Sequence, residues 1–362
     1  MQHTIQPLLF DVPESAVSAL KVSKKQVFDT RNSTAKTKSR YSNIKKILDT
    51  DQITNNNWIE INTQNVAESA AAIYFMDLFS GAGGISTGAK LAGLQKAVSV
   101  EIDKDASATI RLNFPESVHF QKPIQEITET EFKEAVNGRK ISVIFGGPPC
   151  QGFSVAGLRD PNDPRNQLFK EYVRTVKIVQ PDFVVLENVP GILTMEKGRV
   201  YREILQQFAD IGYPNMSVRI LEAATFGVPQ LRTRAIFIGN KLGIKNPYPM
   251  EIFNKTTYNS IESAIDDLKL IPRFGAPNHE WTQHSPEFEA RIAQIPPGGS
   301  LYETFRDAFK RQHLGVPSMT VKENHGGCHV HYELNRVLSA REMARLQTFP
   351  DDFFYGQSQT RL

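Results

Sequence analysis

Five short apolar runs recur along this chain, each ending in a turn built from glycine, proline or an acid, with helix-forming stretches between most of them. They are Ala-Ala-Ile-Tyr-Phe-Met-Asp-Leu-Phe (71–79), Lys96 to Ile102, Ile141 to Phe145, Phe183 to Leu186, and Ala235 to Ile238. Most are continuously apolar rather than alternating, which marks strands buried on both faces. Buried strands alternating with helices predict an α/β fold, a doubly wound and mostly parallel sheet.

The flanks of this rhythm set the expected domain limits. Residues 1–71 hold no glycine and are rich in Lys, Ser, Thr and Asn. They read either as a partly ordered polar extension or as an arm placing Lys24, Lys25, Lys36, Lys38, Arg40, Lys45 and Lys46 on phosphates. Residues 72–240 carry the strand–helix core. Residues 241–327 lose the alternation and gain prolines, among them Pro247, Pro249, Pro296 and Pro297, which predicts a small inserted domain. Residues 328–362 return to the core. Hydrophobic residues make up 40% and charged residues 22%, which argues against global disorder. No apolar run approaches the roughly 20 residues that span a bilayer, so no membrane partner is expected. Two cysteines, Cys150 and Cys328, cannot build a disulfide framework, so a reducing cytoplasm is the expected compartment. A net charge of +3 does not by itself indicate nucleic acid.

Four strand ends carry candidate chemistry. Asp77-Leu78-Phe79-Ser80-Gly81-Ala82-Gly83-Gly84 is a strand-to-helix turn, and Glu101 ends the next strand roughly 20 residues later, where an acid suits a ribose diol. A glycine-rich turn alone serves structure as readily as a ligand; the downstream acid favours a nucleoside-containing cofactor. Gly146-Gly147-Pro148-Pro149-Cys150-Gln151-Gly152-Phe153-Ser154 sets a cysteine on a rigid loop directly after a buried strand. Buried cysteines are commonly inert, but core packing alone does not call for the Gly-Gly and Pro-Pro framing. A thiol with its usual pKa near 8.5 is only slightly ionised at neutral pH, so the site must activate it. Glu187-Asn188-Val189-Pro190 puts a carboxylate at the following strand end. Gln230-Leu231-Arg232-Thr233-Arg234 places Gln230, Arg232 and Arg234 on one face by alternation, and a shared task with Glu187 accounts for three polar groups there. Further on, Ser339 and Glu342 predict a capping box opening a bracing helix.

Together these groups fit one reaction. A thiolate adds to carbon 6 of a cytosine, carbon 5 then attacks a methyl sulfonium, a proton leaves carbon 5, and the thiolate is eliminated. The carboxylate holds ring nitrogen 3 and the exocyclic amine, and arginine stabilises charge at the 2-keto oxygen. A stacked base cannot react in this way and must be flipped out.

The strings D-L-F-S-G-A-G-G (77–84), G-G-P-P-C-Q-G-F-S (146–154), E-N-V (187–189), Q-L-R-T-R (230–234) and R-x9-L-Q-T-F-P (336–350) resemble the DNA (cytosine-5)-methyltransferase family, in the family's order over about residues 72–355. The resemblance implies a Rossmann-like S-adenosylmethionine-dependent methyltransferase of double-stranded DNA. It places the cofactor around Phe79, Ser80, Gly81, Gly83, Gly84 and Glu101, with Ile102 against the adenine. It makes Cys150 the nucleophile, Glu187 the cytosine-binding acid, and Arg232 and Arg234 the ring-orienting pair. The inserted region 241–327 corresponds to the family's target-recognition domain. A bacterial restriction–modification setting is a family-level expectation.

Two departures accompany it. Pro123 stands where the family usually has an adenine-binding Asp, and the family's last motif, a Gly-Asn turn leading into a terminal helix, is not found before Leu362. A cofactor pocket lacking one wall and an exposed apolar patch are therefore expected, with three alternatives: a second subunit supplying the motif, a truncated and weak or inactive enzyme, or cover by the N-terminal segment. The rival functions are a transfer-RNA cytosine methyltransferase, whose Cys-Phe-Thr string is absent here, and a regulatory DNA-binding subunit. Asn324 to His331 offers four potential metal ligands at a spacing unlike structural zinc, and no metal is expected. Tyr172 and Arg174 are expected on a helix near the cysteine loop, and Arg165 either contacts phosphate or is solvated.

Overall fold

The computed structural model describes residues 58–61, 72–149, 164–304, 308–322 and 329–356. Cys150, the basic cluster 24–46, the 151–154 end of the cysteine loop, the Arg165 side chain and the stretch 323–328 lie outside the described residues. The strands are β1 (Trp58–Ile61), β2 (Tyr74–Leu78), β3 (Gln95–Val100), β4 (Val118–Phe120), β5 (Ile141–Gly146), β6 (Phe183–Asn188), β7 (Ser217–Glu222), β8 (Thr233–Asn240), β9 (Asn246–Pro249), β10 (Lys310–Arg311) and β11 (His329–Val330). The α-helices are α1 (Gly84–Leu91), α2 (Lys104–Asn113), α3 (Glu129–Val136), α4 (Pro164–Val179), α5 (Arg199–Asp210), α6 (Ile261–Ile265), α7 (Pro286–Ala293) and α8 (Ala340–Leu346).

Seven strands form the main sheet in the order β4-β3-β2-β5-β6-β8-β7. All pairings are parallel except those of β8, which runs antiparallel to both β6 and β7. The mostly parallel expectation therefore holds, with one reversed strand that the sequence did not mark. The chain leaves β2 towards β3 and β4 on one side and resumes at β5 on the other. A crevice opens beyond the carboxyl ends of strands at such a switch point, which is where ligands bind in open α/β sheets.

One face of the sheet packs against α3, α4 and α5 through Met76, Leu78, Ile144, Val184, Phe132, Tyr172, Ile204 and Phe208. The other face centres on Phe75, Ala89 and Val143, with Leu94, Phe145, Phe183 and Val185 only partly buried beside them. Along 241–327, β9 pairs in parallel with β1, so residues 58–61 join this region in a small sheet. Ile261, Ile265 and Leu268 pack with Val321, Tyr332, Leu338 and Leu346, which ties the region to α8. The Ser339–Glu342 capping box is present as expected, and Arg336 clasps the same Glu342 with both terminal nitrogens at 2.7 and 2.8 Å. Among the described residues, no helix is long and apolar enough to cross a membrane.

Candidate active site

The carboxyl ends of β2, β3 and β5, together with α2 and the segment after β4, enclose a cavity of about 550 Å³. Phe79, Gly81, Glu101 and Ile102 all line it. The turn after β2 is held in left-handed backbone at Phe79 (φ 58°) and Gly81 (φ 52°). At a non-glycine residue that conformation is strained, and such strain concentrates at ligand sites. A side chain at Gly81 would meet no atom within 4 Å, so the turn opens onto free space.

Glu101 is fixed by backbone amides. The Gly81 N–H donates to its Oε2 at 2.8 Å and the Asp103 N–H to its Oε1 at 2.9 Å. The remaining lone pairs are available to a pair of hydroxyls. Asp103 then caps α2 by accepting from the Asp105 and Ala106 amides. Ile102 stands 64% exposed at the cavity edge, an apolar surface suited to a planar ring. Pro123 also lines the cavity, next to Lys122, Ile124 and Gln125.

Ser80, Gly83 and Gly84, expected beside the cofactor, do not line this cavity. The Ser80 hydroxyl donates to the Val100 carbonyl. A Cβ at Gly83 (φ 92°) would sit 2.8 Å from Ile110, and one at Gly84 would sit 3.4 Å from Phe349. These residues let the turn pack against α2 and the segment 349–355, and they are absent from the cavity lining.

Beneath the turn, Asp77 is fully buried and accepts the Ser86 hydroxyl at 2.5 Å. Burial pushes its carboxyl up to about 6. Lys96, also buried, lies 3.7 Å from the Phe114 ring centroid, and burial pulls its ammonium down to about 8.

The second half of the site forms where β6 ends. Arg234 donates from Nε to Glu187 Oε1 at 2.6 Å, and an Arg232 Nη lies 4.0 Å from the same oxygen. Desolvation, then the neighbouring Arg234, pulls the Arg232 guanidinium down to about 10, which leaves it charged at neutral pH. The loop after β5 is seated against this acid. A Cβ at Gly147 would stand 3.2 Å from Glu187 Oε2, and Asn188 Nδ2 donates to the Pro148 carbonyl at 3.1 Å. Gly147 and Pro149 also line the cofactor-sized cavity, so a single short loop touches both halves. Cys150 follows Pro149 directly in sequence.

Two expectations about these motifs need correction. Gln230 does not share the task of Arg232 and Arg234 at Glu187. Strand β8 starts only at Thr233, and Gln230, 0% exposed, donates to the Leu346 carbonyl and accepts the Val321 amide, each at 3.2 Å. Its burial is satisfied by α8 and the 318–321 segment rather than by Glu187. Gly146, read as framing for the cysteine, is required by packing, because a Cβ there would fall 2.5 Å from the Tyr172 ring.

Sequence reasoning missed Glu222. Its carboxylate accepts the Arg232 amide and the Thr233 hydroxyl, both at 2.6 Å, and so fixes the backbone that carries Arg232. It ends β7 within an ordinary-looking stretch, Leu-Glu-Ala-Ala, that gave no signal. Tyr355, which lines the cavity five residues beyond the last quoted motif, was missed as well.

The fold and this site define an S-adenosylmethionine-dependent methyltransferase. The cavity has ligand size, an amide-held acid for a diol, an exposed apolar side chain for a base, and a glycine turn open to it. A family model for the C-5 cytosine-specific DNA methylase matches residues 73–362, and the chain belongs to that family. It is 40% identical over 302 residues to the type II methyltransferase M1.HphI of Haemophilus parahaemolyticus, covering 78% of this chain and 79% of that protein. It is 33% identical over 340 residues to the type II methyltransferase M.DdeI of Desulfomicrobium norvegicum, covering 79% and 81%. Among solved structures, one described as a prophage-encoded DNA modification methyltransferase of E. coli superposes with a TM-score of 0.64 at 27% identity, over 80% of this chain and 91% of that one. A Spodoptera frugiperda DNMT2 mutant, at 20% identity and a TM-score of 0.52, shares the fold, with 79% and 92% coverage. The protein is a DNA (cytosine-5)-methyltransferase that uses S-adenosylmethionine.

Proposed function

We propose that this chain methylates carbon 5 of a cytosine flipped out of a specific short duplex DNA sequence, through a temporary covalent bond from Cys150. The observation that carries this reading is the placement of Gly147–Pro149, the three residues before Cys150, between Glu187 and the cofactor-sized cavity. When bound, S-adenosylmethionine supplies an electrophilic methyl group.

Each residue then has a defined task. The Cys150 thiolate bonds to carbon 6 and pushes electron density to carbon 5. Glu187, held by Arg234, hydrogen-bonds ring nitrogen 3 and the exocyclic amine. Arg232, charged and partly desolvated, takes the 2-keto oxygen, where negative charge develops. Carbon 5 accepts the methyl, its proton leaves to a base, and the sulfur–carbon bond breaks to restore the thiolate. Glu101 holds the ribose diol and Ile102 the adenine face. Residues 241–327 carry the sequence recognition.

The reading is tested by trapping. Duplex DNA carrying 5-fluorocytosine at the target retains fluorine where the proton should leave, so the adduct persists. Wild-type protein with S-adenosylmethionine should form a complex that resists denaturing gel electrophoresis, and Cys150→Ser should form none. Equal behaviour of the two proteins refutes the covalent route. Methyl transfer to transfer RNA in preference to duplex DNA refutes the substrate.

A further inference from the structure

The segment 353–356 runs past the cofactor cavity with no regular secondary structure, yet its backbone is held almost residue by residue. Asn113, the last residue of α2, accepts the Phe354 amide at 3.0 Å and donates to the Phe354 carbonyl at 2.6 Å. Asn278 does the same for Tyr355, accepting its amide at 3.0 Å and donating to its carbonyl at 3.3 Å. Thr109 accepts the Gly356 amide at 3.0 Å. Two asparagine side chains thus copy the paired hydrogen bonds that a neighbouring strand would make. Upstream, the buried Arg341 guanidinium donates to the carbonyls of Pro277, Pro350 and Phe353, which fixes the entry to the segment.

Tyr355 is what this arrangement presents. It lines the cofactor cavity while only 8% exposed, and its ring packs against Phe353 and Phe349 at centroid distances of 5.1 and 5.8 Å. Its hydroxyl is buried and has no hydrogen-bond partner, which leaves the ring as the part offered to a ligand. The backbone clasp on Tyr355 comes from Asn278, within the region 241–327 proposed to recognise DNA. Asn278 itself takes left-handed backbone (φ 59°), and its carbonyl accepts the Arg341 amide at 2.8 Å.

We propose that Tyr355 is a cofactor-contacting wall of the S-adenosylmethionine site, and that Asn278 is the positioning residue that seats it. The inference rests on the cavity being the cofactor site. It gives that pocket a wall from the segment after α8. It also makes cofactor affinity depend on a residue of the recognition region that does not line the cavity.

The test is direct binding of S-adenosylmethionine and S-adenosylhomocysteine to the full chain by calorimetry, without turnover. Tyr355→Ala should weaken binding at least tenfold, and Tyr355→Phe should leave it unchanged, because the hydroxyl is buried and makes no hydrogen bond. Tyr355 also belongs to a core cluster, so Asn278→Gly supplies a milder variant. Glycine accepts the left-handed backbone without strain and removes only the clasp. It should weaken binding about threefold to tenfold, with the melting temperature kept close to wild type. Wild-type affinity in both Tyr355→Ala and Asn278→Gly overturns the proposal, as does an affinity loss that merely tracks lost stability. Glu101→Ala separates the two levels of the argument: if it too binds like wild type, the cavity is not the cofactor site, and the inference falls with that reading.

Discussion

Replacing Gly146 with alanine tests whether the residue before the cysteine loop is set by packing. The new Cβ would lie 2.5 and 2.8 Å from two Tyr172 ring carbons and 3.0 Å from the Leu78 carbonyl oxygen. Ordinary contacts start near 3.4 Å, so ring or strand must move by close to an ångström. Neither moves freely. Tyr172 is completely buried, its hydroxyl donates towards the Ile144 and Val185 carbonyls at 2.9 and 3.1 Å, and its ring meets Phe208 edge-on at 6.0 Å. Leu78 belongs to β2, an interior strand of the sheet. Overpacking of this kind costs about 1–3 kcal/mol, and losing the tyrosine hydrogen bond adds about 1 kcal/mol. At roughly 2–4 °C per kcal/mol, the melting temperature should fall by about 4–16 °C. Calorimetric melting of Gly146→Ala, Tyr172→Leu and the double variant checks this. Because leucine vacates the space that the new methyl needs, the double variant should lose at least about 1 kcal/mol less than the two single losses combined. A Gly146→Ala protein that melts with wild type, or strictly additive losses, would refute the packing argument.

Three further predictions follow from buried or clasping carboxylates. Asp77 has its folded-state pKa raised from 3.8 to about 6 by burial; the native state therefore holds the extra proton between those values, and stability falls as pH rises through them, by about 3 kcal/mol in all. Urea melts on both sides of that window should show this loss in wild type and lack it in Asp77→Asn, whose carbonyl still accepts Ser86; identical profiles would remove burial as the cause. Glu222→Ala removes an acceptor from the Arg232 amide and the Thr233 hydroxyl, and kcat should fall about tenfold or more with the KM for DNA little changed, about 1.4 kcal/mol of transition-state stabilisation; Glu222→Gln, which still offers an acceptor, should recover most of it, and a change in KM alone would argue against a positioning role. Glu342→Ala strands the buried Arg336 and should cost about 3–5 kcal/mol by denaturant unfolding; a loss under about 1 kcal/mol, the range of an exposed pair, would contradict the burial.

Much of the site was legible because it sits in local motifs. The strand-turn-helix at 77–84, the acid at Glu101 and the ends of β5 and β6 are fixed by short-range patterning, and a parallel sheet sends all those ends to one edge. Placing the arginines needed more. The sequence sets Arg232 and Arg234 where the chain enters a strand, and a strand parallel to β6 would have held them at the far edge from Glu187. Strand β8 is reversed, so its beginning lies beside the end of β6, and Arg234 reaches the acid at 2.6 Å. Strand direction is a property of the pairing and leaves no trace in an apolar run.

The sequence by itself therefore determined the alternation of buried strands and helices, the turn chemistry at each strand end, and the set of reactive side chains, since all of these depend on residues within a few positions of one another. Only the tertiary structure decided which of those residues meet. Gln230 turned to α8, Gly146 answered to Tyr172, and Glu222 and Tyr355 became part of the site through neighbours elsewhere in the chain. Burial and hydrogen-bond satisfaction are settled by whatever the fold brings alongside, and that depends on contacts far apart in sequence.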